Sequence, residues 1–277
     1  MIYYLPWENK NTASSRLRVH NIAPYLNASF DLPEEYEKGD ILIIQKVPNY
    51  KELKKAKSQG AKVIYDIDDW WDSDNFKQMT EEADLVTVDT KYKLKLYPKA
   101  KVIPDTLDWN GLIKINYSKG KLMGWTSYGN NAHYLNKIVI PLKNQGFGLK
   151  LITTDDYLNY FAGVCEFRKW SLQSIDRELA ECDYGIYPLD GNDFSQSKGM
   201  HKLLKNWAIG LPTYVSPTPD YIKAVEEAGV SKDCLVKDWK HLKPIKFEPA
   251  MRDYALKYLP INIAKIWKDT ISKILKQ

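Results

Sequence analysis

The chain has 277 residues, enough for two modest domains or one large one. Its 44% hydrophobic and 27% charged residues are ordinary for a globular protein and exclude disorder as the starting assumption. The formal net charge of +5 favours anionic partners such as nucleotides, phosphates, nucleic acid or a membrane surface, with a lysine-rich solvated face as the equal alternative.

Ile2–Leu5 reads as a buried strand, and residues 15–26 as a helix capped by Ser14 or Ser15 with Leu17, Ile22 and Leu26 apolar. A strand follows at Ile41–Gln45, then a helix over 50–59 closed by Gly60. Further strands are expected at Lys62–Ile67, Leu85–Val88 and 102–103, with a short helix around 91–97. Strands and helices alternating at this spacing mean βαβ units and a parallel sheet with helices on both faces. Residues 104–120 are polar, contain Gly111 and Gly120, and read as a linker. The pattern then restarts, with strands over 122–125 and at Gly148–Thr153, Tyr184–Tyr187 and Thr213–Val215. Helices are expected over 132–144, 172–180 and 200–209 and at Pro219–Ala228. Residues 261–276 place Ile263, Ile266, Trp267, Thr270, Ile271 and Ile274 on one face of a last amphipathic helix. The expected fold is α/β, with two consecutive Rossmann-like domains facing across a cleft. The domains are placed at 1–115 and 116–255, and a C-terminal helix over 256–277 is expected to pack back on the first. Ligands of such sheets bind beyond the carboxyl ends of the strands.

Cys165, Cys182 and Cys234 are scattered and offer neither a disulfide framework nor a CxxC pair, so a reducing, cytoplasmic setting is expected. The start MIYYLPWENK lacks the apolar stretch of a signal peptide, and no apolar run reaches the ~18 residues of a membrane span. Nineteen Tyr and nine Trp exceed what a core of this size needs. Trp70 and Trp71 stand beside charge, where flat rings stack on sugars or nucleobases.

The strongest local signal is SQSKGMHKLLKNWAIGLP, a polar loop after the strand YGIY that leads into a helix near Gly199. Ser195, Ser197 and Lys198 precede the helix, and Lys202 and Asn206 lie within it. A helix N-terminus with converging lysines and serines suits a diphosphate, against the plainer reading of a serine-capped helix. The second signal is YDIDDWWDSD, where five Asp and two Trp follow a strand. Asp66, Asp68 or Asp69 is a candidate base for an acceptor hydroxyl. Asp66 and Asp68 also have the DxD spacing of a Mg²⁺ or Mn²⁺ site, and a solvated acidic loop is the bland reading. The third is SSRLRVH. Arg16 and Arg18 open a helix whose N-terminal end disfavours cations, which points to a bound anion, and His20 is a candidate base or a structural histidine. The fourth is GWTSYGNNAH, a glycine-containing turn with Ser127 that lets backbone N–H groups approach phosphate. GxGxxG and GxxxxGK[ST] do not occur, which argues against a dehydrogenase and a P-loop ATPase. No Cys/His cluster supports zinc.

Taken in order, SRLR, IIQK, KVIYDIDD, ADLVTVDT and VIPDTLD resemble the first domain of bacterial and phage GT-B glycosyltransferases of the "glycosyl transferases group 1" set. MGWTSYGNNAHYL, CDYGIYPLDG, SKGMHKLLKNWAIGLPTYVS and YIKAVEEAG resemble the second, donor-binding domain. The resemblance implies a nucleotide-sugar donor, UDP-linked, held mainly by the second domain, with diphosphate contacts from Ser197, Lys198 and Lys202. It implies that no metal or other cofactor is required. It places the acceptor on the first domain, near Arg16, Arg18, Trp70 and Trp71. Many relatives carry a Glu-x7-Glu pair where this chain has Ser197 and Lys205, which leaves ribose recognition, sugar identity and stereochemistry open. The first acceptor expectation is a hydroxylated pyrimidine in double-stranded phage DNA, tracked through phosphates and flipped out of the stack. A cell-surface glycan or a protein is the rival acceptor. A metal-dependent GT-A type transferase using Asp66 and Asp68, and a non-catalytic nucleotide-binding module, remain as other classes. Nothing in the sequence fixes an oligomeric state.

Overall fold

The computed structural model describes residues 1–117, 120–154, 161 and 163–276; Ser118 and Lys119 of the expected linker lie outside them. The chain divides into two compact units. The first comprises Met1–Asp108, Gln196–Gly199 and Tyr258–Gln277, and the second Trp109–Ser195 and Met200–Lys257.

The first unit is built on five strands, β1 (Ile2–Leu5), β2 (Ile41–Gln45), β3 (Lys62–Ile67), β4 (Leu85–Val88) and β5 (Lys101–Val102), adjacent in that order. All pairs are parallel. Ser29 adds a parallel bridge to Tyr3 outside β1, so the chain first steps outward and then returns to build β2 on the other side. The sheet therefore reverses direction between β1 and β2. Strands of this kind are buried on both faces, which is why they read as apolar runs. Leu42, Ile44, Val63, Tyr65 and Val88 form one face, against Leu53 and Ala56 of helix Tyr50–Ser58 and Met79 of helix Asp74–Glu82. Tyr4 sits on the other face, where Trp267 of helix Pro260–Ile274 meets its ring edge-on at 6.4 Å.

The second unit carries β6 (Leu122–Thr126), β7 (Gly148–Thr153), β8 (Glu166–Lys169), β9 (Tyr184–Tyr187) and β10 (Thr213–Val215), in the order β10-β9-β6-β7-β8. These pairs are also parallel. The direction of winding reverses between β6 and β9. Helix His201–Ile209 packs so closely that a Cβ on Gly185 of β9 would lie 2.0 Å from Asn206 Nδ2 and 2.7 Å from Thr213 Oγ1. Overpacking of this type costs about 1–3 kcal/mol. Gly185→Ala is expected to lower stability by that amount in urea denaturation, whereas an unchanged midpoint would refute the close contact.

Several elements differ from the sequence expectation for local reasons. The single helix over 15–26 is broken. Arg16–His20 winds as a π-helix, with the Asn21 N–H bonded to the Arg16 carbonyl, and Pro24 belongs to a separate turn at Ala23–Leu26. The helix over 132–144 is likewise two pieces, a 3₁₀ segment Gly129–Leu135 and a helix Val139–Asn144. Pro141 forbids one continuous helix, because its ring would meet the carbonyl four residues back. Lys91–Lys95 is 3₁₀ as well. Helices Asp74–Glu82 and Pro249–Leu256 and the strand Glu166–Lys169 had no sequence counterpart.

Candidate active site

In the second unit, the carboxyl ends of β6 and β9 flank the place where the winding reverses, the usual ligand crevice of an open α/β sheet. Lys202, in the first turn of helix His201–Ile209, donates to Ser127 Oγ at 2.6 Å just beyond β6. Its ammonium also stands 5.5 Å from the ring of Tyr187, the last residue of β9. Asn131 Nδ2 donates to the same Ser127 oxygen at 2.9 Å. The Ser127 carbonyl accepts from Thr153 Oγ1 at 2.7 Å, which ties the turn to the end of β7. No side-chain hydrogen bond caps this helix at Met200. A cation, hydroxyl and amide donors and an uncapped helix N-terminus together favour an anion.

Two residues expected to bind phosphate here do other work. Ser195 is fully buried; its hydroxyl donates to Asp190 at 2.6 Å and lies 3.2 Å from Tyr134 Oη, so it shapes the loop from within. Asn206 is also fully buried and donates to Thr213 Oγ1 at 3.1 Å beneath β9, so its role is packing. Lys205, at one position of the missing glutamate pair, donates to the buried Asp176 at 2.7 Å. Ser197 and Lys198 belong to the first unit, whereas Ser195, Lys202 and Asn206 belong to the second.

In the first unit, charged side chains crowd the carboxyl ends of β1 to β5. Arg18 and Asp66 correct the sequence reading. Both are buried, and the guanidinium grips the carboxylate through Nε at 2.9 Å and Nη2 at 2.5 Å. Thr87 Oγ1 donates to Asp66 at 2.6 Å, and Arg18 Nη1 donates to the Ile103 carbonyl at 2.6 Å. Every strong group of the pair is satisfied internally. Asp66 and Arg18 thus face each other in the interior, where neither is presented to solvent. Arg16 is similarly engaged, with Asp108 at 2.9 Å and the Lys10 and Asn11 carbonyls.

Asp68 and Asp69 stand further out, and Lys46, just past β2, serves both, at 2.6 Å from Asp69 and 3.9 Å from Asp68. Ser14 donates to Asp68 and accepts from Lys46. Burial pushes the Asp68 carboxyl above its usual range, and Lys46 opposes the shift. Asp89 and Asp105 follow β4 and β5 and face Gly199, whose Cβ would lie 3.1 Å and 3.3 Å from their oxygens. Lys93 bonds Asp89 at 2.5 Å and the Ser197 carbonyl at 2.9 Å. Lys198 joins this cluster, where burial lowers its pKa against the opposing field of Asp69, Asp68 and Asp89. Trp70 lies tilted at 47° against Tyr92 with ring centroids 5.4 Å apart, and Trp71 meets Phe76 edge-on at 4.4 Å. His20 packs on Phe30 at 5.0 Å, and its buried Nε2 has no hydrogen-bond partner among the described residues. The sequence reading missed Gln45, Lys46, Asp89, Lys93, Asp105 and Asn131. The signal available for Gln45, Lys46, Asp89 and Asp105 was their shared position at or just beyond a strand end.

Burial pushes the Asp89 carboxyl up from 3.8 to about 8, with Lys93 opposing and Asp105 reinforcing. The folded state therefore holds this proton more tightly than the unfolded chain between about pH 4 and pH 8, and the group's contribution to stability falls as pH rises through that window. Asp89→Asn removes the titration while keeping an acceptor for Lys93. Denaturation midpoints of the variant are expected to gain on the wild type from pH 5 to pH 9, and a constant difference would contradict the raised carboxyl.

Among the described residues, no group of three or more His, Cys, Asp and Glu side chains is arranged to hold a metal ion, and no helix is long and apolar enough to cross a membrane.

No family model and no curated protein matches the sequence. The fold does match solved structures. The chain is similar to the pneumococcal O-GlcNAc transferase GtfA in complex with UDP and GlcNAc, with TM-score 0.60 and 14% identity over 94% of this chain. It spans 60% of the length of that protein. It is similar to a UDP-forming α,α-trehalose-phosphate synthase from Burkholderia vietnamiensis, with TM-score 0.60 and 11% identity over 88% of this chain and 75% of the other. AviGT4, a glycosyltransferase involved in avilamycin A biosynthesis, matches at TM-score 0.64 and 9% identity over 99% of this chain and 98% of its own. Two Rossmann-like parallel-sheet units in one chain, shared with these proteins, are the GT-B fold.

Proposed function

We propose, with the GT-B fold as premise, that the protein is a glycosyltransferase that moves a sugar from a UDP-sugar to an acceptor hydroxyl. The observation that carries this reading is Lys202, held on Ser127 at the reversal point of the second sheet. A diphosphate placed there meets an ammonium, the Ser127 and Asn131 side chains and the N-terminus of helix His201–Ile209. As the glycosidic bond breaks, charge grows on the leaving diphosphate, and preorganised donors stabilise it. These groups supply that stabilisation, so no metal is required of them. The carboxylates of the first unit serve the acceptor. Among the three candidates, Asp69 is the most exposed, with 22% of its side chain accessible against 11% for Asp68 and none for Asp66. Asp69 is therefore the base or orienting group.

The acceptor is better matched by a neutral hydroxyl compound than by double-stranded DNA. Asp68, Asp69 and Asp105 crowd one edge of the first unit, and Lys46 and Arg18 are engaged with carboxylates there. Such an edge offers little to a phosphate backbone. The test is UDP release from a panel of UDP-sugars, with and without EDTA. Release that survives EDTA and falls strongly in Asp69→Asn is expected. No release from any donor would overturn the reading.

A further inference from the structure

The acceptor half of the proposed activity has a second feature, and the inference rests on that reading. The first sheet reverses direction between β1 and β2, so the crevice beyond those two strand ends is its natural ligand position. Trp7, Gln45 and Lys46 stand there. Gln45 is 1% exposed, and its Oε1 accepts from the Trp7 N–H at 3.1 Å and the Ser15 hydroxyl at 2.9 Å. Ser15 in turn accepts from the Glu8 N–H at 3.0 Å, so the direction of the chain and the orientation of the amide are fixed. That leaves Gln45 Nε2, a buried donor with no hydrogen-bond partner among the described residues. Asp68 Oδ1, a buried acceptor, likewise has no hydrogen-bond partner among them; Lys46 Nζ stands 3.9 Å away. Native interiors rarely leave such groups unmatched unless a ligand or water completes them.

Between these orphans the backbone is strained. Lys46 has φ 66, the left-handed region that a lysine seldom adopts. The strain is held by Tyr65 Oη, which donates to the Lys46 carbonyl at 2.6 Å. Unusual backbone held in place by its surroundings clusters at functional sites. Here it puts the ammonium 4.0 Å from the Trp7 ring centroid and 5.6 Å from that of Trp71. Trp7 is itself 37% exposed.

We infer that this crevice is a subsite for one neutral pyranose ring of a glycan acceptor. Hydroxyls donate and accept at once, so a sugar ring suits a site that offers both an unmatched donor, Gln45 Nε2, and an unmatched acceptor, Asp68 Oδ1. The apolar C–H face of the ring lies on the indole of Trp7, which is flat and exposed, on a backbone fixed by the Trp7 main-chain N–H to Gln45. An anionic ligand is disfavoured by Asp68 and Asp69. A polypeptide offers isolated hydroxyls rather than several on one ring.

The test is tryptophan fluorescence of the full chain, without nucleotide, titrated with the methyl glycosides of glucose, galactose and N-acetylglucosamine. At least one is expected to quench saturably. Trp7→Ala and Gln45→Glu are each expected to weaken that glycoside by about tenfold or more. Gln45→Glu keeps the acceptor for Trp7 but replaces the donor with a carboxylate at a buried position, so its fold is checked by its melting temperature and UDP binding. Trp7 is exposed, so Trp7→Ala should fold and bind UDP as the wild type does. UDP binding with no response to any of the three glycosides would overturn the subsite and leave the transferase reading standing. Glycoside binding without UDP binding would remove the transferase reading and keep the subsite. Equal affinity in both variants, or a crystal grown in the best glycoside with only water at Gln45 Nε2, would also overturn the subsite.

Discussion

Asp66→Ala is expected to lower the stability of the protein by about 3–5 kcal/mol, enough to move its thermal midpoint by roughly 10 °C. Asp66 and Arg18 are both buried to within 1% and are bound to each other by two hydrogen bonds. Removing the carboxylate leaves the guanidinium with the Ile103 carbonyl and the more distant Asp105 at 3.3 Å, which is poor compensation for a desolvated cation. Arg18→Ala strands the carboxylate instead, and only Thr87 Oγ1 remains bonded to it among the partners named above. The double change Arg18→Met with Asp66→Leu should recover part of the loss, because a buried ion pair is often replaceable by apolar volume. Circular dichroism melts of the four proteins decide the point. Were Asp66→Ala as stable as the wild type but inactive, the carboxylate would be catalytic and the structural assignment wrong.

The largest expected effect on activity belongs to Lys202→Met, which should reduce turnover by about 10²–10³ while the melting temperature stays within a degree or so of the wild type. Lys202 is partly exposed at the start of its helix, and methionine keeps the length and much of the volume of the stem. What disappears is the ammonium on Ser127 and beside Tyr187. Lys202→Arg should retain part of the activity, since the charge remains but the 2.6 Å contact with Ser127 must change. A similar loss in Ser127→Ala would show that the hydroxyl positions the ammonium. Full turnover in Lys202→Met would remove the proposed phosphate position.

Much of this architecture was legible because parallel strands buried on both faces leave short apolar runs, as in Ile41–Gln45 and Tyr184–Tyr187. The strand Glu166–Lys169 was not, because it lies at a sheet edge, is mostly exposed and reads as polar. The burial of Asp66 has a physical lesson. The residue lies inside Lys62–Ile67, within the strand rather than beyond its end, so a buried partner was already required by its position. Arg18, more than forty residues earlier, supplies it through a π-helical turn that no apolar periodicity announces. Asp68 and Asp69 lie beyond the strand end, where the rule for ligand positions applies. Lys46 escaped notice because its partners Trp7, Asp68 and Asp69 are brought to it only by the sheet order.

Calorimetric titration of UDP into the wild-type protein and into Lys202→Met tests the central claim most directly. Saturable one-to-one binding by the wild type, weakened about tenfold or more in the variant, is the result the phosphate position beside β6 and β9 requires. Absence of binding to the wild type, or the same affinity in both proteins, would contradict it.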